Sequence, residues 1–415
     1  MEPEYCDAMA VRLRDVAEAA GVSVRTVSNV VNDAPHVSPA TREKVQAAIT
    51  ELGYRPNLSA RQLKYGRSGF LALAIPQIDS PYFAELAQQF TKAAAEAGFI
   101  ALLDDVAQSL QLTESDFAPV PWKAGIYKDQ RYSIPLDVHP LGFFYNKTVM
   151  EKAGLDPAKP PLDMDSYMDA LDKLKAKGIK GHWASPFPFT GGLSTQSLVN
   201  QFGGSMYDEA GTKVTWNSEQ AVKAFTWWQD LIKQGYSPAK VAQDADFLAL
   251  QNGQNAFNWN GIWSLNTLAE KKDLQWGVSV LPTIGEKPAA WAGSHQFVLP
   301  TQKSADANKA TAGKVFLNWI STKSLEWAKG GQVPARNSVR DSAEFKALTG
   351  QAELAKQVDN LFFPPAVPGI GDAGAEYDKA LNEITLGLKD VATVLNTSAE
   401  RAQKILDANA KKYGA

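Results

Sequence analysis

Apolar residues in the first part of the chain fall at Leu13, Val16, Ala17 and Ala20, the three- and four-residue spacing of one helix face. Gly21 follows, a residue that takes a positive φ without a steric cost and so ends a helix sharply. A second apolar set, Val27, Val30 and Val31, lies behind Ser23, whose hydroxyl suits a helix N-cap. That phase leaves Val24, Arg25, Ser28 and Asn29 on the outer face. A third helix is predicted from Ser38, with Pro39 at its first position, Leu52 as its last apolar residue and Gly53 as its stop. The pattern then changes. Phe70–Pro76 (FLALAIP) is a continuous apolar run, as in a strand covered on both faces. YFAELAQQFTKAAAEAG reads as a helix and FIALLDD as a second strand, giving a β-α-β unit. Near the other end, Glu376 to Tyr413 reads as two helices, the second opened by a capping box from Thr397 to Glu400.

A chain of 415 residues exceeds what one core supports, so a small module and a larger two-lobed body are expected. Apolar residues at 45% and charged residues at 21% match ordinary globular proteins. No apolar run reaches the roughly 18–20 residues of a membrane span. The net charge of -3 is unevenly placed: Met9 to Phe70 carries nine basic against five acidic residues. The basic excess therefore coincides with the helix pair. The single cysteine, Cys6, excludes an internal disulfide framework. The opening MEPEYCDAMAVRLRD has acids where an export signal carries positive charge, so a cytoplasmic location is expected.

Eight of the eleven tryptophans (Trp183, Trp216, Trp227, Trp228, Trp259, Trp263, Trp276 and Trp291) lie between His182 and Trp291, interleaved with small polar residues. Sugar rings have apolar faces and polar rims, so aromatic plates beside a few placed polar groups suit them. Most of these rings are expected in the core, including at least one of Trp227 and Trp228. The better ligand candidates fall in predicted loops and strand ends: Asp137 and His139 in PLDVHPLG, Asn260 and Trp263 in NWNGIW, Trp291 and His295 in WAGSH, and Arg336 in VPARN, with Trp183 added from the indole-rich stretch. Asp137 would accept from sugar hydroxyls and Arg336 would donate a fork of hydrogen bonds. The histidines at 36, 139, 182 and 295 show no metal-ligand spacing. There is no phosphate-cradling Gly-Lys loop and no nucleophile elbow. An enzyme is not expected, nor a cofactor.

DVAEAAGVS, TVSNVVN, VSPATREKV, ELGYRPN and SARQLK follow one another at the spacing of the lactose-repressor (LacI) family's DNA-binding domain, which this segment closely resembles. The resemblance implies base reading by Val24, Arg25 and Asn29, and phosphate contact by Ser23, Thr26 and Ser28. Arg25 would pair with guanine and Asn29 with adenine, with Val24 against a thymine methyl. Asn57 to Leu63 matches the family's hinge helix, and Leu63 its minor-groove wedge. Arg12 departs from the family's usual Thr or Ser cap. The family binds palindromic operators as homodimers, so both are implied. The β-α-β unit also resembles the LacI family, up to Asp105.

Beyond it, DDVAQSLQLTESDF, YSIPLDVHPLGFFYNKTVMEKAGLD, FNWNGIWSL, WAGSHQFVLP and GGQVPARNSV resemble the extracellular solute-binding proteins of ABC sugar importers, the maltose-binding-protein-like group. The expected plan has a helix-turn-helix domain over 9–56, a hinge and linker over 57–67, a LacI-type β-α-β unit over 68–105, and a sugar-binding body over 106–415. The fold class is multidomain: an all-α DNA-binding domain and an α/β two-lobed, periplasmic-binding-protein-like body with an incomplete first lobe. The implied function is a sequence-specific transcription regulator with a carbohydrate-binding effector body. The alternative is a carbohydrate-binding importer component carrying a fused, artefactual DNA-binding module.

Overall fold

The computed structural model describes residues 13–31, 37–52, 100–101, 107–108, 110–127, 129–300, 307–365, 367 and 369–413. The chain divides into two compact units, Met1–Leu73 and Ala74–Ala415.

In the first unit, α1 (Leu13–Ala19), α2 (Val24–Val31) and α3 (Pro39–Glu51) form as their spacing predicts. Val16, Ala17, Val27, Val30, Val45 and Ala48 close a small buried core, with Ala20 and Leu52 at its edge. Each buried valine contributes about 1.5–3 kcal/mol. Gly21 has φ +63°, and Val22 N–H donates to Ala17 C=O at 3.0 Å, so the left-handed turn ends α1 as expected. Ser23 Oγ accepts from Thr26 N–H at 3.1 Å, the predicted cap of α2. The side chains of Leu13 and Val31, together with Gly53, lie outside the described residues.

The second unit is built around β5 (Asp137–Asn146), nine of whose ten residues are buried. Phe143, Phe144 and Tyr145 supply consecutive large side chains, the composition of a strand covered on both faces. Four strands pair with it, all antiparallel. Along one part, β6 (Phe257–Gly261) and β7 (Trp276–Ser279) flank residues 141–146. At its start, β8 (Ala290–Gly293) meets His139 and Pro140, and β11 (Val333–Pro334) meets Asp137 and Val138. The edge strand β12 (Leu361–Phe362) joins β8 in parallel. Smaller ladders join β2 (Ile126–Tyr127) to β3 (Gln130–Arg131), β4 (Ile134–Pro135) to β9 (Gln296–Phe297), and β1 (Ile100–Ala101) to β10 (Leu299–Pro300).

Two apolar cores lie along this framework. The larger contains Phe143, Tyr167, Trp216, Trp228, Trp259 and Tyr377; the smaller contains Phe117, Trp122, Ile134 and Leu317. Trp227 and Trp228 are both buried, as the helical phase of Glu219–Lys233 requires. Within FIALLDD, Ile100 and Ala101 form the strand β1, but the run Phe70–Pro76 and the helical stretch after it lie outside the described residues. Much of the expected β-α-β unit, and the question of an incomplete first lobe, lies there too.

The C-terminal pair differs from expectation in its boundaries. The helices are Ile370–Thr385 and Val391–Tyr413, and the second passes unbroken through Thr397. Asp390 caps it instead, accepting from Thr393 N–H at 2.9 Å. Thr397 Oγ1 donates back to Thr393 C=O at 2.9 Å, the way a threonine satisfies itself inside a helix. The segment Ser-Ala-Glu resembled a start because a capping box cannot be told from a mid-helix threonine without knowing what precedes it.

Candidate functional site

β5 places Asp137 and His139 on one face, because side chains two apart in a strand point the same way. The antiparallel register of β8 sets Gly293 directly opposite His139. Two residues further on, His295 reaches the carboxylate. Leu136 N–H donates to His295 C=O at 2.9 Å and fixes that approach.

Asp137 is fully buried. His295 N–H donates to its Oδ1 at 2.8 Å, and His295 Nδ1 lies 2.6 Å from Oδ2. Trp327 Nε1 donates to Oδ2 at 2.5 Å, and His139 Nδ1 lies 3.4 Å from Oδ1. Burial works to raise the carboxyl pKa, but the hydrogen bonds and charges of His139 and His295 outweigh it and hold Asp137 below the ordinary carboxylate range. His295 shifts the other way. Burial lowers its pKa, yet the bond to Asp137 and that residue's charge leave it raised overall.

Aromatic rings surround this cluster. The His139 and His295 centroids are 4.7 Å apart, and Trp263 and Trp291 lie 6.2 and 6.3 Å from His139. Phe189 packs on Trp263 at 4.8 Å, and Trp327 meets His295 edge-on at 5.7 Å. Two glycines make room for these rings. A Cβ on Gly261 would sit 2.1 Å from the Trp263 ring, and one on Gly293 would sit 2.3 Å from His139 Nε2.

Five of the eight sequence candidates for a ligand therefore come together: Asp137, His139, Trp263, Trp291 and His295. Their roles differ from expectation in one respect. The four lone-pair sites of Asp137 are taken by protein donors, so it orients imidazoles instead of accepting from hydroxyls. His295 remains half exposed and His139 partly so, leaving the edge of His295 and part of the His139 ring between partly exposed indoles.

Of the other three candidates, Asn260 and Arg336 have hydrogen-bond partners outside this cluster. Asn260 Nδ2 donates to Asn258 Oδ1 at 3.2 Å and Asn258 Nδ2 to Asp246 Oδ2 at 2.9 Å, so Asn260 belongs to a buried polar chain. Arg336 lies over Phe117 at 5.4 Å and donates through Nε to Ser321 Oγ at 3.1 Å, beside the smaller core. Trp183 buries an indole N–H that has no hydrogen-bond partner among the described residues. His182 is a core residue: Tyr167 Oη lies 2.7 Å from its Nδ1, Trp228 and Trp259 flank it, and burial lowers its pKa to about 3. Sequence reasoning missed Trp327 and Phe189, which carry no local signal and reach the cluster from distant segments.

In the first unit, Val24 and Arg25 are exposed on α2, opposite the buried Val27 and Val30. Ser23 and Thr26 share a hydroxyl–hydroxyl contact of 2.8 Å at its start, and Asn29 is partly exposed. Ser28 lies on α2 with its side chain outside the described residues, as are Asn57 and Leu63 entirely. No described helix is long and apolar enough to cross a membrane.

Comparison with known proteins separates the same two parts. Residues 71–353 match the family described as bacterial extracellular solute-binding protein, and residues 12–57 match bacterial regulatory proteins of the lacI family. The HTH-type transcriptional regulator DegA of Bacillus subtilis is 41% identical over 95 residues, which is 23% of this chain and 28% of that protein. The chain thus spans under a third of that regulator's length. The sn-glycerol-3-phosphate-binding periplasmic protein UgpB of Shigella flexneri is 25% identical over 327 residues, 72% of each chain. Among solved structures, the cyclic alpha-maltosyl-1,6-maltose binding protein of Arthrobacter globiformis superposes with a TM-score of 0.66 at 20% identity, covering 78% of this chain and 89% of that one. The fold is therefore a helical, LacI-type DNA-binding domain followed by an α/β solute-binding body.

Proposed function

The chain belongs to the bacterial extracellular solute-binding protein family, and from that premise we propose that it acts as a sequence-specific transcription regulator whose solute-binding body takes a carbohydrate effector. The observation that carries the effector half is the convergence of His139, His295, Trp263 and Trp291 around Asp137. Flat indoles cover the apolar face of a sugar ring while imidazole edges meet its hydroxyls. The DNA half rests on α2, which presents Val24 and Arg25 outward from a closed three-helix core. In this reading Val24, Arg25 and Asn29 meet base edges, while Ser23, Thr26 and Ser28 meet phosphates. Asn57 and Leu63 enter the minor groove. The protein works as a homodimer on a palindromic operator, since one module makes too few contacts for tight specific binding.

Ligand can alter DNA binding only through its differential affinity for two arrangements of the protein. The test is selection of operators from a palindromic library with the purified full chain, followed by titration with a sugar panel that includes phosphorylated polyols. Salt-sensitive, sequence-selective binding that a sugar shifts is the expected result; its absence removes the regulator reading. A second reading follows from the 72% overlap with UgpB: an importer component with a fused DNA module. It requires the chain outside the cytoplasm, so cell fractionation that recovers it only from the cytoplasm eliminates it.

A further inference from the structure

We propose that Asp137, His139 and His295 bind one divalent transition-metal ion of the zinc class, with a coordination position left for an outside ligand. One ligand atom from each side chain can be chosen so that all three lie within 4.8 Å of one another. The two imidazoles turn the same nitrogen, Nδ1, toward the same carboxylate. For His139 this orientation is imposed by packing, because its Nε2 edge lies against Gly293.

Two imidazoles and one carboxylate favour zinc, cobalt, nickel or copper over magnesium or calcium, which prefer all-oxygen shells. Three protein ligands with one position remaining is the open form of such a site. An ion bound at about 2.0–2.1 Å holds tetrahedral ligand atoms roughly 3.3 Å apart. His139 Nδ1 lies 3.4 Å from Oδ1, close to that spacing, while His295 Nδ1 lies 2.6 Å from the other oxygen, Oδ2, so an ion sharing one carboxylate oxygen requires the His295 ring to shift. His295 is half exposed and follows the end of β8, so its ring has room to move. The ion takes the place of the bridging hydrogens, and each neutral ring keeps its proton on Nε2.

Two further features support the assignment. Among the described residues the ion partners of Asp137 are His139 and His295, with neither lysine nor arginine, so imidazoles supply the counter-charge to this buried carboxylate there. Trp327 Nε1 and His295 N–H also orient the carboxylate, as supporting hydrogen bonds do around metal ligands. This inference does not depend on the sugar reading, because the ion alone is the probe.

The full chain, treated with chelator and dialysed, is titrated with Co²⁺ and followed by visible absorption, then challenged with Zn²⁺. The expected result is one Co²⁺ per chain, displaced by Zn²⁺. His139→Ala and His295→Ala should each weaken binding by more than about 100-fold, and Trp327→Phe, which removes no ligand, by about 10–100-fold. The tryptophan-fluorescence unfolding transition identifies any variant that fails to fold, and Trp327→Phe then decides. Absence of stoichiometric Co²⁺ binding overturns the proposal. So does binding that His139→Ala, His295→Ala and Trp327→Phe leave unchanged, which places the ion elsewhere, for example at Cys6 or His36.

Discussion

Gly293→Ala should destabilise the body, and His139→Ala should abolish that effect. The new Cβ would lie 2.3 Å from His139 Nε2, 3.0 Å from its Cδ2 and 3.2 Å from its Cε1, the three nearest atoms to it. Ordinary contact needs about 3.5 Å, so the ring must retreat by roughly 1.2 Å. Its bond to Asp137, already 3.4 Å long, does not survive that movement. Overpacking of this kind costs about 1–3 kcal/mol, and a weak charged hydrogen bond adds about 1 kcal/mol, giving an expected loss of about 2–4 kcal/mol. Gly293 is not among the glycines with positive φ, so alanine fits its backbone. Without the His139 ring the same substitution should be neutral or stabilising by about 0.4–1 kcal/mol, through a less flexible unfolded chain. The coupling energy of the cycle is then about 3 kcal/mol. Urea unfolding read by tryptophan fluorescence measures it cleanly, because all eleven tryptophans fall within Ala74–Ala415. A coupling below about 0.5 kcal/mol would refute the reasoning, since independent sites add within that margin.

Asp246 is buried, and burial raises its carboxyl from 3.8 to about 6. The folded protein thus holds a proton that the unfolded chain releases, so stability falls between those two pH values by about 3 kcal/mol. Asp246→Asn should remove that loss, seen as a growing stability advantage over wild type in urea titrations from acid to neutral pH; a constant difference contradicts it. His182 should stay neutral down to about pH 3; an imidazole NMR titration with a midpoint near the ordinary 6.5 would show that burial does not govern it. In the first unit, Gly21→Ala meets no atom within 4 Å, so its cost is purely the left-handed backbone, about 1–2 kcal/mol. Ser23→Ala should cost about 1 kcal/mol through the lost cap of α2. Amide exchange protection in α1 to α3 reads both, and unchanged protection counts against these local causes.

Local signals made the three-helix unit legible: valine spacing, a capping serine and a glycine at the turn each act within a few residues. For the body, the indole-rich stretch and the Asp137–His139 pair pointed to residues that the fold brings together, because strand alternation alone puts those two side chains on one face. What the sequence could not supply was register. His295 and Trp327 reach Asp137 across 158 and 190 residues, and only the pairing of β5 with β8 and β11 brings them in. The histidines therefore carried no metal-like spacing, although two of them turn the same nitrogen to one carboxylate. Asn260 was illegible for a related reason: it donates to Asn258, two places away on β6, and Asn258 in turn donates to Asp246. The capping box at Thr397 misled because Asp390 had already started that helix.

The pairing of β5 also sets an order in time. A ribosome adding about 5–20 residues per second needs roughly 8–30 s to travel the 158 residues from Asp137 to His295. During that interval the buried strand has no ladder on its β8 side, while the helices between Leu13 and Glu51 need nothing made later to complete their own core. A newborn chain thus completes its three-helix unit well before its solute-binding body. Synthesis that stalls before Phe257 leaves a fragment with a formed α2 and with Phe143–Tyr145 lacking both of their ladder partners, β6 and β7, a species for chaperones to shield and proteases to clear.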